Sequence, residues 1–189
     1  MPSDLTGTRA SRRARLRSAL GLAEGDTPFP WQDRLLEAFV EGEVPAALDI
    51  PTGLGKTAVM AVWLVARACG APVPRRLVYV VDRRAVVDQA TTVAEQLRAW
   101  VAHDADVKAA LGLSGMLPVS TLRGQHVDNR AWLEDPAAPA IVLGTVDMIG
   151  SRLLFSGYGV SRKMRPYHAG LLRGNVGELV FRGHVPRPH

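Results

Sequence analysis

The sequence predicts an α/β domain built on a parallel sheet with helices on both faces. Short apolar runs alternate along the chain with stretches whose apolar residues recur at helical spacing, the pattern of repeated strand–loop–helix units. The runs are continuously apolar rather than alternating with polar residues, as strands buried on both faces require. A glycine turn, PTGLGKT at residues 51–57, stands between the first run and the helix that follows it.

The elements follow in order. In PFPWQDRLL (28–36) and the residues after it, Trp31, Leu35, Leu36 and Phe39 make the apolar stripe of an amphipathic helix. AALDI (46–50) reads as a short buried strand, and TAVMAVWLVARA (57–68) as a helix apolar almost all round. RRLVYVVD (75–82) is a second buried strand; Val86, Val87, Ala90, Val93, Ala94, Leu97 and Val101 then fall on one helical face. PVST (118–121) and AIVLGT (140–145) read as strands three and four, the latter entered from a connection rich in Pro and Ala at 135–139.

With 189 residues the chain can bury one sizeable core, and 47% hydrophobic with 22% charged residues is a globular composition. Its net charge of +5 comes from the ends. Residues 1–20 hold five arginines against Asp4, and residues 160–189 hold six Lys or Arg against Glu178. The body between carries 12 basic and 16 acidic residues, so a nucleic-acid groove there must rest on a few placed residues rather than on a general field. Residues 1–27 are expected to form a solvated basic arm. The single cysteine, Cys69, excludes disulfides within the chain and cysteine-rich zinc sites, and it fits a cytoplasmic location. No apolar run approaches the roughly 18–20 residues of a membrane span.

In PTGLGKT the two glycines let the backbone turn tightly and aim the N–H groups of the loop, formed by Thr52, Gly53, Leu54 and Gly55, at phosphate oxygens. Lys56 then reaches the β and γ phosphates, and Thr57 offers its hydroxyl to Mg²⁺. Ile50 stands where the strict pattern has its first glycine. The bland alternative is a glycine turn that only joins strand to helix.

Pro-Thr-Gly before Gly-Lys-Thr, without that first glycine, resembles the phosphate loop of superfamily 2 helicases and translocases. The resemblance implies a RecA-like P-loop lobe with ATP and Mg²⁺ as cofactors. PFPWQDRLL resembles the glutamine motif of those helicases, with Gln32 reading the adenine edge and Phe29 stacking on the base; the alternative is an ordinary amphipathic helix carrying Gln32 on its exposed side. YVVDRRAVVDQ (79–89) resembles the next helicase motif, placing Arg83 and Arg84 at a strand end against the backbone of a single DNA strand, the alternative being two solvated arginines. STLRGQ (120–125) and GTVDMIGSRLLF (144–155) resemble later strand-end motifs that hold phosphates, through Arg123, Gly124 and Thr145. Thr145 or Asp147 is expected to cap the helix there, Asp147 in a structural role.

VVDRRAVVDQA, LRGQ and GTVDMIGSRLLFSGYGVS look like the helicase-nuclease of type I CRISPR systems of subtype U or G. The likeness spans about residues 28–172, read as the first ATP-binding lobe. It implies an antiviral motor that follows a displaced single strand, with a CRISPR surveillance complex as partner. That family also carries a metal-dependent HD nuclease; His103-Asp104 echoes it but is read as a helix end or surface turn. The chain departs from the family in one respect: no Asp-Glu pair occurs anywhere in it, and the second lobe is missing. Residues 173–189 are accordingly expected to be a tail foreign to the family, after a break in the reading frame, with VGELVF able to form a strand in the vacant place. No catalytic residue is assigned. The competing readings are a non-catalytic module that binds nucleic acid or protein, and the motor lobe of a restriction-type DNA translocase.

Overall fold

The computed structural model describes residues 7–51, 53–122, 134–135, 137–154, 162–166 and, as backbone, 178–183. The chain divides into two compact units, residues 1–73 with 96–117 and residues 74–95 with 118–189. Among the described residues no helix is long and apolar enough to cross a membrane.

The first unit is helical. Its centre is α3 (Val59–Ala68), in which every residue except Arg67 is buried, Trp63 completely. α2 (Pro30–Val40) turns Leu35, Leu36 and Phe39 inward and packs on α3. α1 (Arg9–Ala19) packs there too, through a fully buried Leu16. For residues 9–19 this corrects the expectation of a solvated arm. RASRRARLRSA is made of strong helix formers, Thr8 caps it by accepting from Ser11 N–H at 3.3 Å, and two arginines meet carboxylates of α2. Arg12 forks onto Glu37, and the hydrogen bond holds its guanidinium above the ordinary arginine range; Arg13 meets Asp33 at 3.0 Å. The last turns of α4 (Arg84–His103) and the short α5 (Ala105–Ala110) complete the unit, burying Leu97, Val101 and Val107. Trp100 Nε1 donates to Ser18 Oγ at 3.0 Å. Cys69 is buried at the end of α3, and burial pushes its thiol above the ordinary value against the pull of Arg15.

AALDI is not a strand. Residues 46–50 form no ladder, and only Ile50 is buried. An apolar run of this length acquires strand geometry only when a neighbouring strand takes its N–H and C=O groups, and among the described residues it has no ladder partner.

The second unit is a four-stranded parallel sheet in the order β2–β3–β1–β4, with β1 Arg76–Val81, β2 Val119–Leu122, β3 Ala140–Thr145 and β4 Glu178–Gly183. Side chains alternate across its faces. On one face Val78, Val80, Leu122, Ala140 and Val142 cluster with Met148 and Ile149 of α6 (Val146–Leu153). The other carries Thr121, whose hydroxyl shares a 2.9 Å hydrogen bond with that of Thr91 in the first half of α4. Helices thus cover both faces, as the continuous apolar runs require. Gly144 permits the close approach of α6: a Cβ there would lie 3.2 Å from Ile149 and 3.3 Å from Leu122. The expected strand in VGELVF exists as β4, paired with β1. Glu178 opens the strand rather than ending it.

Candidate functional site

The phosphate loop belongs to the first unit. Gly53 and Gly55 both take left-handed backbone, with φ of 87° and 64°, which residues with a Cβ adopt at a cost. The loop feeds a single 3-10 turn, Lys56–Ala58, that runs into α3. Its first hydrogen bond is from Ala58 N–H to the carbonyl of Gly55 at 2.9 Å, so the N–H groups of Lys56 and Thr57 precede the helical ladder. Gly53 and Gly55 are exposed, and Lys56 and Thr57 are half-buried. A glycine turn, a helix start whose first N–H groups precede the ladder, and a lysine and threonine at its edge fit an anion of the polyphosphate kind with its cation. Thr52 lies outside the described residues.

The start of α2 lies against this loop. A Cβ on Gly55 would come within 3.8 Å of Gln32 Nε2 and 3.9 Å of Phe29 Cε2, ordinary contact distances. Phe29 is 44% exposed and offers a ring face, whereas Gln32 is buried, not displayed on the open side of the helix. Its Oε1 accepts from Phe29 N–H at 2.9 Å, half of a capping box, which uses one of two lone pairs and fixes the amide. Sequence reasoning missed Trp31. Its Nε1 donates to the carbonyl of Leu54, inside the loop, at 3.0 Å. A contact across 23 residues has no periodic signature; the only hint in the sequence is a polar-tipped aromatic beside the glutamine.

In the second unit the register aligns the strand ends. Val81 stands opposite Thr145 and Leu122 opposite Gly144, so β1, β2 and β3 end at one edge of the sheet, where the residues following β1 and β3 leave it. Arg83 and Arg84 are exposed at that edge, where α4 begins. Thr145 is the residue before the first turn of α6 but makes no side-chain capping bond, and Asp147 lies exposed in that turn. The expected cap is therefore one of backbone position only. Arg123 and Gly124 lie outside the described residues.

His103 and Asp104 form the junction of α4 and α5. His103 Nδ1 lies 2.7 Å from the carbonyl of Ala99, and Asp104 Oδ1 accepts from Val107 N–H at 3.0 Å, capping α5. Both side chains have a local structural partner, as the helix-end reading holds.

The family model of the type III restriction enzyme res subunit matches residues 27–152, about two thirds of the chain, from the start of α2 almost to the end of α6. No curated protein and no solved structure matches. The matched segment contains the phosphate loop, the three strands β1–β3 and the helices on both sheet faces, and so the chain belongs to the type III restriction enzyme res subunit family, with the RecA-like P-loop fold of superfamily 2 helicase-type, ATP-dependent motors.

Proposed function

We infer that residues 28–172 are the first ATP-binding lobe of a DNA motor. The observation that carries the reading is the convergence of Phe29 and Gln32 on Gly55, which puts an aromatic face and an amide beside the glycine loop and the helix start that follows it. The loop amides from Thr52 to Gly55 and the Lys56 ammonium hold the phosphates, Thr57 supplies a hydroxyl to Mg²⁺, Phe29 carries the base and Gln32 reads its edge. The metal neutralises phosphate charge when bound. Single-stranded DNA is held by Arg83, Arg84, Arg123, Gly124 and Thr145, through backbone phosphates and without sequence preference. Lys56→Ala tests the nucleotide site: calorimetry should show ATP and ADP affinity reduced by most of its value at unchanged helicity. Equal binding by variant and parent sinks the reading.

For the biological setting, the spelling of residues 144–161 supports a cytoplasmic CRISPR interference motor that is handed a displaced strand by a surveillance complex. The competing reading is a restriction-type translocase; the family match supports a helicase-type motor in general and does not favour it over the first. The two differ in substrate. A motor loaded on displaced strand prefers an R-loop or bubble over blunt duplex at equal length, and a duplex translocase does not.

A further inference from the structure

We propose that Trp31 is a positioning residue for phosphate binding, setting the direction of a loop amide that it does not itself contain. The inference rests on the nucleotide reading above and concerns how the loop is held in a receptive shape.

A peptide unit is planar, and in the trans form its C=O and N–H point in opposite directions. The described chain has no cis bond. The carbonyl of Leu54 is held by the indole N–H of Trp31 at 3.0 Å, so the N–H of Gly55, the other end of the same peptide, is turned away from α2. Gly55 closes this unit with left-handed backbone, and Gly53 stands one residue before it in the same region, so the loop around the unit is free to flip. The indole removes that freedom at one peptide.

The donor sits on a rigid base. Trp31 lies in the first turn of a helix that starts at Pro30, and Gln32 beside it is buried with its amide bonded to Phe29 N–H. Leu35, Leu36 and Phe39 then fix the helix in the core. A donor outside the loop thus orders an exposed glycine segment before any ligand arrives, which lowers the ordering cost of binding. This assigns Trp31 to the phosphates, and Phe29 to the base.

The test separates those two ends. Affinities of the full chain for ATP and for inorganic tripolyphosphate, both with Mg²⁺, are measured by calorimetry on the parent, Trp31→Phe, Phe29→Leu and Lys56→Ala. Trp31→Phe keeps the ring body and loses the N–H. It should weaken both ligands by the same factor, roughly three- to tenfold, at unchanged helicity. Phe29→Leu should weaken ATP and leave tripolyphosphate alone. A Trp31→Phe protein that binds both ligands like the parent, or loses ATP only, overturns the proposal. A parent that binds neither ligand, or a Lys56→Ala protein that binds as the parent does, overturns the nucleotide reading instead. Should Trp31→Phe not fold, the indole N–H resonance of Trp31 in the parent decides: it should shift on saturation with tripolyphosphate, and an unmoved signal under saturating ligand overturns the proposal.

Discussion

Replacing Arg12 with alanine cuts the less exposed of the two ionic ties between α1 and α2. Arg12 Nε donates to Glu37 Oε1 at 3.1 Å, Nη2 donates to Oε2, and Nη1 donates to the carbonyl of Gly7 at 2.7 Å. The side chains are 14% and 21% exposed, so the fork is screened less than an open surface pair, without the full desolvation cost of a buried one. Hydrogen bonds to charged groups contribute about 1.5–3 kcal/mol, and water admitted to Glu37 recovers part of the loss. Arg12→Ala should therefore destabilise the chain by about 2 kcal/mol. Arg13→Ala is the internal control: that arginine is 50% exposed, and its bridge to Asp33 should contribute less than about 0.5 kcal/mol. The assay is urea unfolding followed by tryptophan fluorescence, since Trp31, Trp63 and Trp100 all report on this unit. A cycle of Arg12→Ala, Glu37→Ala and the double variant should give a coupling of about 1–2 kcal/mol, reduced by molar salt. Coupling below about 0.5 kcal/mol would refute the reasoning and leave Leu16 as the attachment of α1.

Three further outcomes are expected. Arg83→Ala with Arg84→Ala should weaken binding of a labelled single-stranded oligonucleotide at low salt and flatten its salt dependence by about two charges, as lost phosphate contacts do; parental binding would assign the affinity to the basic ends. The chain should release no phosphate from ATP above the rate of Lys56→Ala, with Mg²⁺ and single-stranded DNA present, because it contains no Asp-Glu pair to hold the metal and orient water. DNA-stimulated turnover that disappears in the variant would contradict this. Cys69 has a thiol raised by burial, so its neutral form is favoured in the folded chain; its contribution to stability is present below the ordinary thiol range and is lost as pH rises through the raised value. A disulfide reagent at mildly alkaline pH should accordingly label Cys69 only as fast as the chain opens, and labelling at the rate of a free thiol would show that the site is open.

The sheet of the second unit was legible because double burial writes itself as continuous apolar runs: RRLVYVVD became β1 and AIVLGT became β3. The same signal misled at AALDI, where composition describes a strand but cannot supply the neighbour that makes one. Charge misled at the N-terminus. Five arginines read as solvated, yet a helix needs only one leucine on its inner side and carboxylates within reach, and Asp33 and Glu37 stand one turn apart on α2. In the candidate site, the glycines, Lys56 and Thr57 were readable from local chemistry. Trp31 was not, because its partner is a backbone carbonyl, which every residue type offers alike.

The pairing of β4 with β1 has a kinetic side. Arg76 stands opposite Glu178, so this ladder closes a loop of about a hundred residues, and its entropy must be given up before the contact contributes anything. On a ribosome adding roughly 5–20 residues per second, β1 waits on the order of 5–20 s after its own synthesis for that neighbour. During that interval its β4-facing edge presents open N–H and C=O groups to any extended segment nearby, including β1 of another nascent chain. Yield of folded protein should then depend on how crowded the messenger is with ribosomes, and slower initiation, rather than a more stable core, is the lever that improves it.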